Sequence, residues 1–341
     1  MGSMSVELVA LGDVMIDHHF SLRDWPSSDV FEWVSRGDLV FANLECPLGT
    51  KGHPREKMFA FRSSPSIARL LRAMGLHVVS LANNHMLDYG EGALDETLRI
   101  LTRSRIKYVG AGKNITDAYK PCIITKGGVR IAFLGLAATL PLGSAASERR
   151  PGVAPVHVRT SYQIDPTMLQ EQPGDHPRIR TNVETKDEKR ILKVISETRK
   201  HADHVVVGIH WGVAFDKQRA EYQQPLGRKM IEAGASLIVG HHPHLRQGIE
   251  HHQNGVILYS LGDFVFHDRV DMTGESGMIA NIEFDRKKIR TLRLKLIQID
   301  AKSGLPTFGN KTELQSLVKE MRQSSSRQKL TLDDDTLKVN V

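Results

Sequence analysis

Five short apolar runs in this 341-residue chain each end in a side chain that can ligate a metal or carry a proton. Val6-Glu7-Leu8-Val9-Ala10-Leu11 leads into Gly12-Asp13, and Leu39-Val40-Phe41-Ala42 leads into Asn43-Leu44-Glu45. Val78-Val79-Ser80-Leu81-Ala82 leads into Asn83-Asn84-His85. The run at 205–209 ends at His210, and the run at 236–239 ends at Gly240-His241-His242-Pro243-His244. Runs this short, apolar at consecutive positions and rich in β-branched residues, are the pattern of strands buried on both faces. In an open α/β sheet the carboxyl ends of such strands lie along one edge, where sites form. One pattern therefore constrains both the fold and the place of the chemistry.

Helical spacing fills the intervals. Residues 65–75 read as a helix, with Ser64 placed to cap it and Gly75 to stop it, and a second helix covers about 92–104. The stretch from Cys122 to Leu136 predicts a hairpin turning at Gly127-Gly128. Residues 141–180 are rich in Pro, Gly, Ser, Arg and His without periodicity, too long for an ordinary connection, and read as a mobile loop, a lid or an insertion. A charged helix at 187–200 and another at 222–233 follow. A strand at 256–260 ends at Gly262-Asp263-Phe264, and alternating strands run near 278–284 and 290–299. Strand–helix alternation assigns the α/β class with a mostly parallel layered sheet. A single domain over 5–300 is expected, with 301–341 a partly disordered C-terminal extension whose serine and aspartate runs fray.

Two cysteines, Cys46 and Cys122, exclude a disulfide framework and a thiolate zinc site. No apolar run approaches the ~20 residues of a membrane helix. No charged-then-apolar leader opens the chain, and Met1-Gly2-Ser3 reads as an addition ahead of a native start at Met4, so a cytoplasmic protein is expected. A net charge of +7 predicts an anionic small-molecule or polymer substrate. Part of that excess is the run Arg286, Lys287, Lys288, Arg290, Arg293 and Lys295, read as the solvated face of a hairpin. Without a helix-turn-helix, RRM-like or finger pattern, no nucleic acid is expected as partner.

Taken singly, Asp13 could cap a turn, Asn83 and Asn84 could be turn residues, and His210 beside Trp211 could be a core histidine. The run His241-His242-Pro243-His244 after a buried strand resists so plain a reading, and all of these together are read as one site. Oxygen and imidazole donors without thiolates suit manganese, iron or zinc. Glu45 carries two carboxylate oxygens and can bridge two ions.

The ordered series Gly12-Asp13, Asn43-Leu44-Glu45, Leu81-Ala82-Asn83-Asn84-His85 with Asp88-Tyr89-Gly90, His210-Trp211-Gly212, Gly240-His241-His242-Pro243-His244 and Ser260-Leu261-Gly262-Asp263-Phe264 resembles the CapA family. These are poly-γ-glutamate capsule synthesis-type proteins, a branch of the calcineurin-like metallophosphoesterases, and the likeness spans roughly residues 6 to 284. The resemblance implies a four-layer α/β/β/α sandwich, two mixed sheets face to face with helices outside. It implies two divalent metal ions, Mn2+ foremost with Fe or Zn as alternatives. Asp13 and His244 would hold one ion, Asn84, His210 and His242 the other, and Glu45 would bridge them. His85 would face the substrate, with Asp88 orienting it. The activity implied is hydrolysis of a phosphoester by water activated between the ions. Amide or γ-glutamyl bond chemistry is the alternative, and a non-catalytic metal-binding component of a biosynthetic complex is a third reading.

The chain departs from the family pattern around this pocket. Where the wider superfamily has Asp-x-His, position 15 is Met15, so Asp17, His18 or His19 would have to supply the further donor for the first ion. His241 and Asp263 are further donors close to the motifs, Asp263 standing where relatives place Asn. Val213-Ala214-Phe215 occupies the place of a usual Glu. Such changes point to a substrate unlike the capsule polymer.

Overall fold

β1 (Ser5–Met15) is buried along nearly its whole length, which a strand of eleven residues achieves only if both its faces are covered. In the computed structural model, which describes residues 4–16, 29–172, 174, 176–266, 276–300, 303–325 and 330–341, both faces are. The first half continues with α1 (Asp29–Ser35), β2 (Leu39–Leu44), α2 (Ile67–Ala73), β3 (Val78–Ser80), α3 (Gly90–Arg103), β4 (Lys107–Val109), β5 (Ala111–Gly112) and α4 (Ile115–Ala118). Then come β6 (Cys122–Lys126), β7 (Val129–Ala137), β8 (Gly152–Val153), β9 (Val158–Gln163), α5 (Pro166–Glu171), β10 (Arg178–Val183), α6 (Thr185–Arg199), β11 (His204–His210), α7 (Gln223–Glu232) and β12 (Leu237–His241). The chain ends with β13 (Ile249–His252), β14 (Gly255–Leu258), β15 (Asp263–Phe266), β16 (Ser276–Asp285), β17 (Ile289–Ile299), β18 (Pro306–Phe308), α8 (Lys311–Ser324), β19 (Leu330–Asp333) and β20 (Thr336–Val339).

Two mixed sheets result. The larger runs β19-β20-β17-β16-β1-β2-β3-β4, with β15 also on β1 and β18 on β17; the smaller runs β13-β14-β12-β11-β7-β6. β1, β2, β3 and β4 are mutually parallel, as are β7, β11, β12 and β14, so both sheets aim carboxyl ends at one edge. Consecutive residues of β11 serve opposite layers: Val205 and Val207 pack outward with Ile191 and Ile195 of α6 and Leu226 and Met230 of α7. Val206 faces inward with Phe41, Phe133 and Leu8 between the sheets. On the far face of the larger sheet, Val40, Leu44 and Val79 pack with Val34, Leu71, Leu94 and Leu101 of α1, α2 and α3. Helix, sheet, sheet and helix therefore stack in four layers. Each fully buried aliphatic or aromatic side chain contributes about 1.5–3 kcal/mol. Phe41 and Phe133 stack across the inter-sheet layer at 5.5 Å.

The hairpin of β6 and β7 turns at Gly127 and Gly128, whose φ values of 56° and 76° are those of the tight turn matching strand twist. Between 141 and 180 the chain is more regular than its composition predicts. β8 pairs with β5, and β9 pairs with β10 as a separate two-stranded ribbon carrying α5, which Asp165 caps through the Thr167 amide at 2.9 Å. The ribbon is hard to read in sequence because Tyr162, Ile164, Leu169 and Ile179 stay exposed and impose no burial periodicity. Glu221 ties it down through the Thr181 amide at 2.9 Å.

The tail expected to fray is also built into the fold among the described residues. Asn310 and Glu313 form a capping box on α8, whose Leu314, Leu317 and Met321 join the inter-sheet core. β20 and β19 extend the larger sheet, and Asp333 and Asp335 pair with Arg293 and Lys295. The acidic run thus answers part of the basic run, which takes from those two cations the purely solvated role expected of them. Among the described residues no helix is long and apolar enough to cross a membrane.

β1 and β15 approach so closely beside the functional edge that a Cβ on Gly12 would lie 1.9 Å from the Gly262 carbonyl oxygen. Gly12→Ala should therefore cost about 1–3 kcal/mol of unfolding free energy, as overpacking does. Urea melts read this directly, and a variant as stable as the parent would refute the close packing of these strands.

Candidate metal centre

Two rows of side chains meet where the sheets end. In the larger sheet Asp13 stands in register with Asn43 on β2 and Asp263 on β15. In the smaller sheet His210 stands in register with His241. Glu45 follows β2 directly, its amide donating to the Val14 carbonyl at 2.9 Å, which fixes it beside Asp13. Asp13, Asn43 and Glu45 are completely buried.

The Asn43 amide joins the two rows. Its Nδ2 lies 2.8 Å from Asp13 Oδ1, 3.4 Å from Glu45 Oε2 and 3.3 Å from His210 Nδ1. Its Oδ1 accepts from Asn83 Nδ2 at 3.1 Å, and Asn83 also donates to the Leu44 carbonyl at 2.8 Å, so the amide cannot flip without breaking both ends. His210 Nε2 lies 2.8 Å from Asn84 Oδ1, so the two side chains face a common point.

The segment after β12 is held in costly backbone conformations. His242 and His244 have φ of 93° and 56°, and Phe215, whose amide donates to the Pro243 carbonyl at 2.9 Å, has 61°. Left-handed backbone at non-glycine residues costs of order 1–3 kcal/mol each and gathers where geometry is imposed by function. It places the His242 amide 3.1 Å from Asp13 Oδ2 and turns both imidazoles inward. His244 Nδ1 sits 2.8 Å from Asp263 Oδ1, leaving Nε2 toward Glu45 Oε1 at 3.7 Å. His242 Nδ1 is buried with no hydrogen-bond partner among the described residues.

These positions define two groups whose donor atoms lie within 4.8 Å of one another: Glu45 with His210 and His242, and Asp13 with Glu45 and His244. Glu45 belongs to both. Two carboxylates, three imidazoles and a buried nitrogen without a hydrogen bond fit a pair of divalent cations. Protonation agrees with that fit. Burial, then the neighbouring histidine charges, pushes His242 down to about 3, and the same causes hold His210 well below its ordinary value. Both therefore present lone pairs at neutral pH, which ligation requires. At Asp13 burial works upward, but the hydrogen bond from His241 and the charges of His241, His210 and His244 outweigh it and hold the carboxyl well below its usual range. The nearby Cys46 thiol is pushed up to about 11 by burial and stays protonated, in keeping with a site without thiolates.

Beside the cluster, His85 Nδ1 lies 2.7 Å from Asp88 Oδ2, and the Phe61 ring packs on the imidazole at 4.4 Å. Asp88 Oδ2 also accepts from the Phe61 amide at 2.9 Å. Lys57 Nζ contacts Asp88 Oδ1 and donates to the Asn84 carbonyl at 2.9 Å. Lys57 and Phe61 belong to a loop clasped at its base, where the Gly49 amide meets the Ser63 carbonyl at 2.9 Å. Glu96 of α3 receives the amides of Thr50 and Lys51, both at 2.8 Å.

The structure thus brings together Asp13, Glu45, Asn84, His210, His242 and His244, with His85 and Asp88 alongside. Two residues read as further donors take other places. Asp263 holds His244 by its Nδ1, and His241 lies behind Asp13, Nδ1 to Oδ1 at 3.1 Å, with its ring toward Phe41. Asp17, His18 and His19 lie outside the described residues. Sequence reasoning gave no role to Asn43 or Lys57. Asn43 was recoverable from its place at a strand end inside a motif; Lys57, in an aperiodic stretch, left no signal.

Residues 7–268 match the family described as bacterial capsule synthesis protein PGA_cap. The PGA biosynthesis protein CapA of Bacillus subtilis (strain 168) is 30% identical over 327 residues, covering 93% of this chain and 77% of that protein. The capsule biosynthesis protein CapA of Bacillus anthracis is 28% identical over 309 residues, covering 88% of this chain and 68% of that protein.

The depressed His242 pKa makes metal-stripped protein acid-labile. The unfolded chain binds this proton with a pKa near 6.5 and the folded chain only near 3, so folding is undisturbed above 6.5 and loses stability as pH falls below it. At pH 5.5 this one histidine costs about 1.4 kcal/mol. Denaturant melts of chelated protein at pH 7.5 and 5.5 should show the loss, and His242→Gln should shrink it; equal slopes in both proteins would contradict the assignment.

Proposed function

The chain belongs to the bacterial capsule synthesis protein PGA_cap family, to which the CapA proteins are its relatives, and from that membership together with the donor geometry we propose that it is a two-metal hydrolase of phosphoesters serving poly-γ-glutamate biosynthesis. The observation that carries this reading is Glu45, common to both donor groups. Asp13, Glu45 and His244 would hold one cation, and Glu45, His210 and His242 with Asn84 the other, Mn2+ ahead of Fe or Zn. Such a pair supplies two things when bound: a lowered pKa for water and positive charge against the substrate oxygens.

The protein's own groups do the rest. His85 gives its Nδ1 hydrogen to Asp88, so Nε2 is the atom left to exchange a proton with the departing oxygen. His85 lies close enough to His242 and His244 for their charges to act on one another. An arc of rings, Phe61 to Phe266 at 6.1 Å, Phe266 to His244 at 5.0 Å and His244 to Phe215 at 5.6 Å, lines one side of the cluster. Asp13, Glu45 and Asp263 together carry less charge than two dications, so a bound pair would leave a net positive cluster suited to a phosphoryl group. The net charge of +7 favours the same anionic substrate class. A γ-glutamyl amide is the second reading, favoured by the biosynthetic names of the relatives.

Elemental analysis of Mn2+-loaded protein should return about two metal equivalents, near one for His242→Ala and less than one for Glu45→Ala, because the shared ligand serves both positions. Unchanged content in either variant would overturn the ligand assignment. Against a panel of phosphomonoesters, phosphodiesters and γ-glutamyl amides, phosphate or alcohol release should vanish on chelation. It should fall about 10²–10⁴-fold in His85→Ala with metal retained. Amine release alone would move the function to the amide bond, and no release from fully loaded protein would remove the hydrolase reading.

A further inference from the structure

Asp88 is buried to 1% exposure, and a carboxylate so placed demands donors on both oxygens. Oδ2 receives two, His85 Nδ1 at 2.7 Å and the Phe61 amide at 2.9 Å. Oδ1 receives Lys57 Nζ, a contact between a largely buried ammonium and a buried carboxylate. The same ammonium donates to the Asn84 carbonyl at 2.9 Å and stands 3.4 Å from His85 Nδ1. Lys57 therefore touches the main chain of one candidate ligand and the carboxylate that orients the candidate proton carrier. It comes from neither sheet, arriving instead on the loop closed by Gly49 and Ser63.

We propose that Lys57 is a positioning residue, the third member of a Lys57–Asp88–His85 relay that fixes the Asp88 carboxylate so that doubly protonated His85 keeps its Nδ1 hydrogen on Asp88 and gives its Nε2 hydrogen to the leaving-group oxygen, returning to the neutral imidazole. The proposal rests on the hydrolase reading for its kinetic consequence and on geometry alone for its structural one. With Lys57 in place Asp88 has one orientation, since rotating the carboxylate would strand either the ammonium or the Phe61 amide. Without it, Oδ1 has no cation, the carboxylate turns, and the imidazole loses its fixed hydrogen bond. The Lys57 side chain reaches none of the candidate ligating atoms and meets Asn84 only at its main-chain carbonyl, so metal content should be held.

Two phosphoesters sharing one phosphoryl group but differing in leaving group, an alkyl and a nitrophenyl ester, separate this role from a general loss of order. A nitrophenolate departs without a proton; an alkoxide needs one. Lys57→Met should lower kcat about tenfold or more for the alkyl ester, clearly less for the nitrophenyl ester, with KM and metal content held. Lys57→Arg should recover most of the loss, and if Lys57→Met fails to fold, Lys57→Gln makes the same comparison. Equal losses on both esters, or Lys57→Arg no better than the neutral variants, would overturn the proposal. A second reading needs no turnover: a downfield imidazole proton on His85 Nδ1, identified by its absence in His85→Ala, should be present in wild type and Lys57→Arg and lost in Lys57→Met. Persistence of that signal in Lys57→Met sinks the relay even if the protein hydrolyses phosphoesters. Its loss sustains the relay even if the panel shows no hydrolysis.

Discussion

A buried amide stands at the centre of the contacts that hold this molecule's two sheets in step. Asn43 belongs to the larger sheet, yet its Nδ2 reaches His210 at the end of a strand of the smaller one as well as the carboxylates of Asp13 and Glu45. An N–H···O or N–H···N contact tolerates only a few tenths of an ångström, so the sheets must end at one height. The inter-sheet packing of Phe41 on Phe133 and the narrow approach of β1 to β15 at Gly12 serve that registration. The cluster of donors is thus a consequence of how the layers are stacked.

Much of that architecture was legible because burial on both faces writes itself into composition. The strands that carry or lead into Asp13, Glu45, His210 and His244 announced themselves as apolar runs, and the order of these residues carried the family resemblance. The ribbon of β9 and β10 left no such mark, since its apolar residues remain in solvent. The tail misled for a related reason: its acidic run looked like a solvated end, whereas Asp333 and Asp335 meet cations from the adjacent strand. Within the site, residue type alone could not separate a candidate ligand from the group behind it. His241 and Asp263 carry the same donors as their neighbours, and only geometry puts one behind Asp13 and the other on His244.

The centre is built at a thermodynamic loss. Left-handed backbone at His242, His244 and Phe215, a His242 nitrogen with no hydrogen bond, and imidazoles that resist protonation are each unfavourable in the absence of a ligand. A four-layer core of this size can carry such costs. A cation that binds the folded chain alone returns stability in proportion to the logarithm of its concentration over its dissociation constant. Occupancy of these groups by a cation would therefore couple folding to metal supply.

The clasp between Gly49 and Ser63 closes on itself the loop that carries Lys57 and Phe61. Because its two ends bond to each other, the intervening segment behaves as a cassette set into the frame rather than as a span between distant elements. Doubling such a loop costs only about 0.6 kcal/mol in closure entropy. The strand-end donors can thus stay fixed through evolution while the cassette is exchanged, varying what the site accepts without rebuilding what it holds.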